Sequence, residues 1–353
     1  MRFGTGLRKT RWGRGAIRWL GGWVGASLLS AAALAADRIA IVWPTPNDAF
    51  AKGGPIASFL QDAGSGDPES GGFGCVRSSG GQFHEGLDIK ALARDRAGEP
   101  IDDIYAAMDG VVRYINLSAG DSSYGRYIVM EHPDLTPAVY TLYAHLTRVA
   151  PGIRVGSRVT RGSVIATMGH SAGGYAIPRQ RAHLHFEFGL YVTDSFQSWY
   201  DTKKFGSRNE HGVWNGMNLM GIDPLDFLKQ YRAKRVDNFQ DYFARSEAAL
   251  KVRIATHRVP DFARRYPSLV TKPVPINVDG WEIAFNWTGL PIALTPLSGL
   301  DLVGLVPNKP VLLNVNADIE RRDRCKTLAI SRRGTWTIGK DLETVLQQMF
   351  GIR

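Results

Sequence analysis

The sequence predicts a mainly β fold, and three observations lead there. Short β-type runs recur between Gly81 and Val192, turn residues such as Asp109-Gly110 and Gly162 separate them, and no helical crossover of the βαβ kind lies between them. The runs are Ile104 to Met108, Val111 to Leu117, Arg126 to Glu131, Val139 to Leu146, Val164 to Met168 and Leu184 to Val192. With 353 residues and 44% hydrophobic content, the chain exceeds one typical domain and can bury packed cores, which excludes a disordered or fibrous protein. No internal period or long charge block supports a repeat scaffold.

Residues 1–35 read as a secretory signal peptide. Basic residues are followed by an uncharged apolar run from Trp19 to Ala36, and Ala33-Leu34-Ala35 supplies an A-x-A cleavage site. An uncleaved membrane anchor is the alternative, because the run reaches the lower length that can span a bilayer. Either reading exports the remainder. The formal net charge of +10 includes six basic residues from this segment, so the mature chain carries only +4 and nucleic-acid binding is not expected. Export would also place Cys75 and Cys325 where disulfides persist, although the sequence does not say whether they pair.

Residues 36–80 are rich in Gly, Pro and Ser and form an approach segment to the β-rich domain of residues 81–235. Residues 193–220 look like an insertion carrying Trp199, Tyr200 and Trp214; Asp223-Pro224 then opens a short amphipathic helix through Leu228 and Tyr231. Residues 236–265 are expected as a helical connector interrupted at Pro260. The last segment, 266–353, reads as a small C-terminal α+β module, with β-type runs at Trp281 to Trp287, Val311 to Val315 and Thr327 to Ile330 and a closing helix from Leu342 to Phe350.

Three motifs in the β-rich domain carry chemistry. His84-Glu85-Gly86-Leu87-Asp88 offers an imidazole and a carboxylate to a divalent metal, provided the backbone bends so that both can reach one ion, and Gly86 supplies that freedom. His183-Leu184-His185 puts two imidazoles on one face of a strand, where one can ligate a metal while its neighbour faces a substrate. Tyr143-Ala144-His145-Leu146 places a further histidine in a β-type run. Four of the eight histidines fall in these motifs. Two histidines and one carboxylate make a three-ligand set with an open fourth position, the pattern of catalytic zinc, and two cysteines are too few for a structural Cys-type site. Glu187 lies on the same strand face as His183 and His185.

Read together, these motifs resemble the lysostaphin-type (LytM-like) zinc metallopeptidases, over about residues 70–230. The matching positions are His84-x-Gly86-x-Asp88, Ala106-Ala107-Met108-Asp109-Gly110-Val111, Tyr143-Ala144-His145-Leu146, Gly156 to Gly162 with Val159 between, and His183-Leu184-His185-Phe186-Glu187. The resemblance implies the β-sheet fold called a duplicated hybrid motif and a zinc-dependent endopeptidase that hydrolyses peptide cross-links of bacterial peptidoglycan. It implies His84, Asp88 and His185 as ligands of one zinc ion per chain, and His145 and His183 as catalytic residues. The expected partners are peptidoglycan stem peptides, with diaminopimelate-type stems favoured, and the expected place is the periplasm, or the inner membrane should the N-terminal segment stay uncleaved. The alternative function is a non-catalytic wall-binding or hydrolase-activating module of the same fold. Three departures from the family pattern are the long stretch from Ile89 to Asp103, the insertion at 193–220 and the C-terminal module, whose role the sequence leaves open along with the oligomeric state.

Overall fold

Each of the six expected runs forms a strand, with ends shifted or trimmed. The computed structural model describes residues 38–322 and 325–352, so the expected signal peptide lies outside the described residues. Among those described, no helix is long and apolar enough to cross a membrane. In chain order the strands of the first region are β1 (Gly74–Arg77), β2 (Gln82–His84), β3 (Leu87–Lys90), β4 (Asp103–Tyr105), β5 (Gly110–Asn116), β6 (Tyr127–Glu131) and β7 (Tyr140–Ala144). They are followed by β8 (Arg148–Val149), β9 (Arg158–Val159), β10 (Val164–Thr167) and β11 (His183–Tyr191). Helix α1 (Phe196–Lys203) then leads to β12 (Leu219–Ile222).

The main sheet is antiparallel and runs β12, β11, β7, β6, β5, β9, with β3 beside β12 on the edge of β11 that faces away from β7. A smaller sheet of β4, β10 and β8 packs against it through Ile104, Ile165, Ala166 and Met168, all buried. The far edge of β3 is also held, because Gln61 donates to the Asp88 carbonyl and Lys90 to the Phe59 carbonyl. The approach segment thus fixes the backbone of Asp88 from the side opposite β11. On the insertion, Trp214 packs over Tyr140 and Tyr191, covering the second face of the sheet.

Helix α2 (Pro224–Arg232) begins as Asp223-Pro224 dictates: proline occupies the first turn and the Asp223 carboxylate accepts from the amides of Leu225 and Asp226. The stretch 236–265 is not continuously helical. It holds two short helices, α3 (Phe239–Arg245) and α4 (Asp261–Arg265), around a strand, β13 (Leu250–Ala255). Leu250, Val252 and Ile254 alternate with Lys251 and Arg253 at the strand period, and that local pattern overrides the helical composition on either side. Strand β13 lies inside a four-stranded sheet ordered β15, β14, β13, β16, built from β14 (Gly280–Phe285), β15 (Pro291–Leu297) and β16 (Val311–Val315). Strand β15 carries Pro291 and Pro296 and is accordingly an edge strand.

Helix α5 (Ala317–Arg322), the hairpin of β17 (Ala329–Arg332) and β18 (Thr335–Ile338), and helix α6 (Lys340–Phe350) complete the chain. The C-terminal segment does not stand apart. One apolar core runs from Phe186 and Phe188 of β11 through Phe227 and Phe239 to Val252, Trp281 and Leu346. Cys75 and Cys325 form a disulfide across 250 residues of chain, joining β1 to the C-terminal segment.

Candidate metal centre

The three sequence motifs converge on one point, and β11 explains why. His185 stands directly opposite Asp88 across the β11–β3 pair and opposite Ala144 across the β11–β7 pair, while the side-chain period of two keeps His183 on the face of His185. His84 ends β2, and the chain turns through Glu85-Gly86 before β3 begins. The glycine is required here by close approach rather than by an unusual dihedral: a Cβ on Gly86 would collide with the carbonyl oxygen of Phe186 on β11. The bend expected at Gly86 therefore exists, and it lets His84 and Asp88 reach the same place.

His84 Nε2 lies 3.0 Å from His185 Nδ1, and each nitrogen lies 3.1 Å from Asp88 Oδ1. Bonds of about 2.0–2.1 Å in a tetrahedral arrangement would hold such atoms about 3.3 Å apart, so the trio is spaced to share a zinc-sized cation. The hydrogen bonds on the far side of each group point the same way. His84 Nδ1 donates to the Gly72 carbonyl at 2.6 Å and His185 Nε2 donates to Glu187 Oε1 at 2.9 Å, which leaves His84 Nε2 and His185 Nδ1 as lone pairs facing Asp88 Oδ1. Three acceptors converging without a donor between them call for a cation. This chemistry fits a divalent metal, and among the described residues His84, Asp88 and His185 form the one group of three or more His, Cys, Asp or Glu spaced to hold an ion.

The electrostatics agree. Asp88 is buried, which would raise its pKa, but the neighbouring His84 and His183 and the polar contacts of its carboxylate with His185 and His84 hold it well below the usual carboxylate range. Arg77 pairs with the second oxygen, Oδ2, leaving Oδ1 directed at the two imidazoles. Burial pushes His185 down, but its hydrogen bonds to Asp88 and Glu187 outweigh burial and lift it to about 9. A divalent cation bound where the three acceptors meet would compete with protonation of His185.

His145 and His183 lie beside this trio, their rings 4.8 Å apart and roughly perpendicular, with His145 5.9 Å from the His185 ring. All five residues are at most 5% exposed. His145 follows the last residue of β7 and takes a left-handed backbone conformation, φ 61°, an uncommon one for a residue other than glycine. Its Nδ1 donates to the Ser171 carbonyl at 2.8 Å, and His183 Nδ1 donates to the Arg181 carbonyl at 2.7 Å. Both rings thus keep Nε2 as an open lone pair, and His183 Nε2 lies 3.4 Å from Asp88 Oδ1. Burial pushes both imidazoles below their ordinary pKa; neighbouring His183 and His185 lower His145 further, to well below it.

Sequence reasoning brought together His84, Asp88, His145, His183 and His185, and the structure gathers the same five. It did not find Arg77, Tyr124 or Tyr140. Glu187 is fully buried and accepts from three donors: His185 Nε2, the Tyr124 hydroxyl at 2.6 Å and the Tyr140 hydroxyl at 2.7 Å. The Tyr124 ring also lies 5.4 Å from the His185 ring. His170, by contrast, is engaged with Glu99 and the Ile177 carbonyl, and His132 with Thr141 and the Asp109 carbonyl, so neither turns toward the cluster.

The fold and this cluster define a mainly β domain with a candidate divalent-metal centre on its main sheet. Residues 82–195 match the model of Peptidase family M23, in keeping with the lysostaphin-type resemblance of that segment. No curated protein matches the chain. Among solved structures, the catalytic domain of the antimicrobial peptidase lysostaphin from Staphylococcus simulans is 18% identical over 49% of this chain and 95% of its own, with a TM-score of 0.30. A zinc-containing peptidase from Vibrio cholerae is 24% identical over 43% of this chain and 37% of its own, with a TM-score of 0.29. The catalytic domain of a prophage-encoded M23 protein from Enterococcus faecalis is 20% identical over 37% of this chain and 79% of its own, with a TM-score of 0.26.

Proposed function

We propose that the protein is an exported zinc-dependent endopeptidase that hydrolyses peptide cross-links of bacterial peptidoglycan, working in the periplasm after removal of residues 1–35. The observation that carries this reading is the convergence of His84 Nε2, Asp88 Oδ1 and His185 Nδ1 on one point with two further imidazoles beside it. Those three residues would hold one zinc ion and leave it an open position. A bound zinc ion supplies Lewis acidity there, toward water and toward the scissile carbonyl.

The chain's own groups supply the rest. His145 and His183 are held neutral by burial and present Nε2 as an acceptor, so either can take the proton from the attacking water. The imidazolium so formed can stabilise the oxyanion or deliver that proton to the leaving amine. The carbonyls of Ser171 and Arg181 fix the orientation of the two rings. Arg77 and Glu187 hold Asp88 and His185 in place.

Digestion of purified peptidoglycan, with mass analysis of the fragments, tests the reading. The expected result is cleavage of cross-linked peptides by the zinc-loaded protein and at least a hundredfold less by His145→Ala, following the usual contribution of a general acid–base group, roughly 10²–10⁴. Intact cross-links after incubation with the zinc-loaded wild type would refute it.

A further inference from the structure

A cavity of about 500 Å³ opens beside the metal centre, between the metal-bearing domain and the C-terminal segment. Phe83, Glu85, Tyr124 and Met217 line it from one side, Lys326 and Asp341 from the other. It begins next to the cluster: Glu85 follows the candidate ligand His84, and Tyr124 contacts the His185 ring and binds Glu187.

The cavity contains two opposite charges, Lys326 and Glu85, that attract each other across the space without forming an ion pair. Lys326 is half-buried, with Nζ 4.0 Å from the centre of the Phe83 ring, and Phe83 is itself packed against Phe73 and Trp287. Among the described residues neither Lys326 nor Glu85 has a salt-bridge partner within 4.0 Å. Asp341 also attracts Lys326 from a distance, while its carboxylate accepts the Thr327 amide at 2.6 Å. For Lys326 the loss of hydration outweighs the attraction of Glu85 at more than salt-bridge distance. A ligand carrying both charges a few bonds apart would turn that loss into two charge-assisted hydrogen bonds.

We propose that this cavity is a substrate subsite that takes the zwitterionic end of a diamino-acid side chain on a stem peptide, its carboxylate toward Lys326 and its ammonium toward Glu85. The proposal rests on the peptidoglycan reading above and narrows it: a glycine bridge has no charged side chain to meet either group. It also gives the C-terminal segment a task. Lys326 follows Cys325, so the disulfide to Cys75 in β1 fixes the cation at this cavity.

The test compares two cross-linked stem peptides on the zinc-loaded full chain, one with the free amino-carboxylate end on its diamino acid and one with that carboxylate converted to a carboxamide. Wild type should prefer the free form by roughly tenfold to a hundredfold in kcat/KM, the worth of one hydrogen bond to a charged group. Lys326→Gln should bring that ratio to about one, and Glu85→Gln should do the same for a peptide pair differing in acetylation of the free amine. An unchanged preference in folded Lys326→Gln would overturn the subsite. If wild type cleaves neither peptide, the endopeptidase reading fails, and calorimetric binding of the uncross-linked stem peptide to the zinc-free chain decides the subsite separately. There a tenfold weaker affinity in Lys326→Gln supports it and equal affinity overturns it.

Discussion

Replacing Glu187 by Gln tests whether the buried carboxylate behind His185 sets the metal affinity. The substitution keeps shape and removes the charge from a fully buried group that accepts from His185, Tyr124 and Tyr140. A glutamine carbonyl can keep the two donors now on Oε1, but its amide nitrogen must then occupy the place of Oε2, where it meets the Tyr140 hydroxyl. One buried donor loses its acceptor, at a cost of about 1–3 kcal/mol, or about 2–4 °C in Tm for each kcal/mol. The imidazole also loses the negative charge that makes it a strong ligand, and changes of this kind typically weaken metal binding about 10–100-fold, equivalent to about 1.4–2.8 kcal/mol. Zinc affinity is read by chelator competition at fixed pH and the fold by thermal unfolding. A folded Glu187→Gln protein with zinc affinity within about twofold of wild type would refute the reasoning.

Because the hydrogen bonds to Asp88 and Glu187 lift His185 to about 9, zinc uptake at pH 7 should release one proton from this residue, with affinity rising about tenfold per pH unit up to that value; calorimetry in buffers of different ionisation heat measures the proton. His145 and His183 must be neutral to accept a proton, and burial lowers both, so hydrolysis with zinc content held constant should persist through pH 6.5 and fall only at more acidic pH; loss of activity centred above pH 6.5 would contradict this. His145→Ala should keep its zinc while losing hydrolysis, whereas His185→Ala should lose the metal, and metal analysis beside a peptide-cleavage assay separates the two. Replacing both cysteines by serine releases a constraint spanning 250 residues, for which chain entropy gives up to about 5 kcal/mol, so Tm should fall by several degrees at least in a thermal melt.

The parts of the site legible in the sequence were those that local geometry dictates. A strand period of two puts His183 and His185 on one face whatever the rest of the chain does, and the close pairing of His84 with Asp88 needs only a bend at Gly86. Arg77, Tyr124 and Tyr140 were hidden because they reach the site through strand neighbours and side-chain paths that no spacing encodes. Tyr140 meets Glu187 across β7 and β11, and Arg77 meets Asp88 from a separate hairpin. The left-handed conformation of His145 was equally invisible, since no glycine marks it. Strand β13 was missed for a different reason: six residues of clean alternation lie between segments of helical composition, and a window wide enough to see the helices averages the strand away.

The C-terminal segment illustrates how topology can assign a role that composition leaves open. Its disulfide partner, Cys75, lies two residues before Arg77, which holds the candidate ligand Asp88; its own Cys325 lies one residue before Lys326, which lines the adjoining cavity. Phe73, Phe83 and Trp287 pack together between the same two regions. A module needed only as a tether could be attached anywhere on the surface, and a flexible linker would serve it better than a shared apolar core. Covalent and aromatic attachment through β1 and β2 instead makes the position of the C-terminal residues depend on the hairpin that carries His84 and on Arg77, which holds Asp88. The placement of the C-terminal residues and that of His84 and Asp88 are thus fixed through one core and one disulfide.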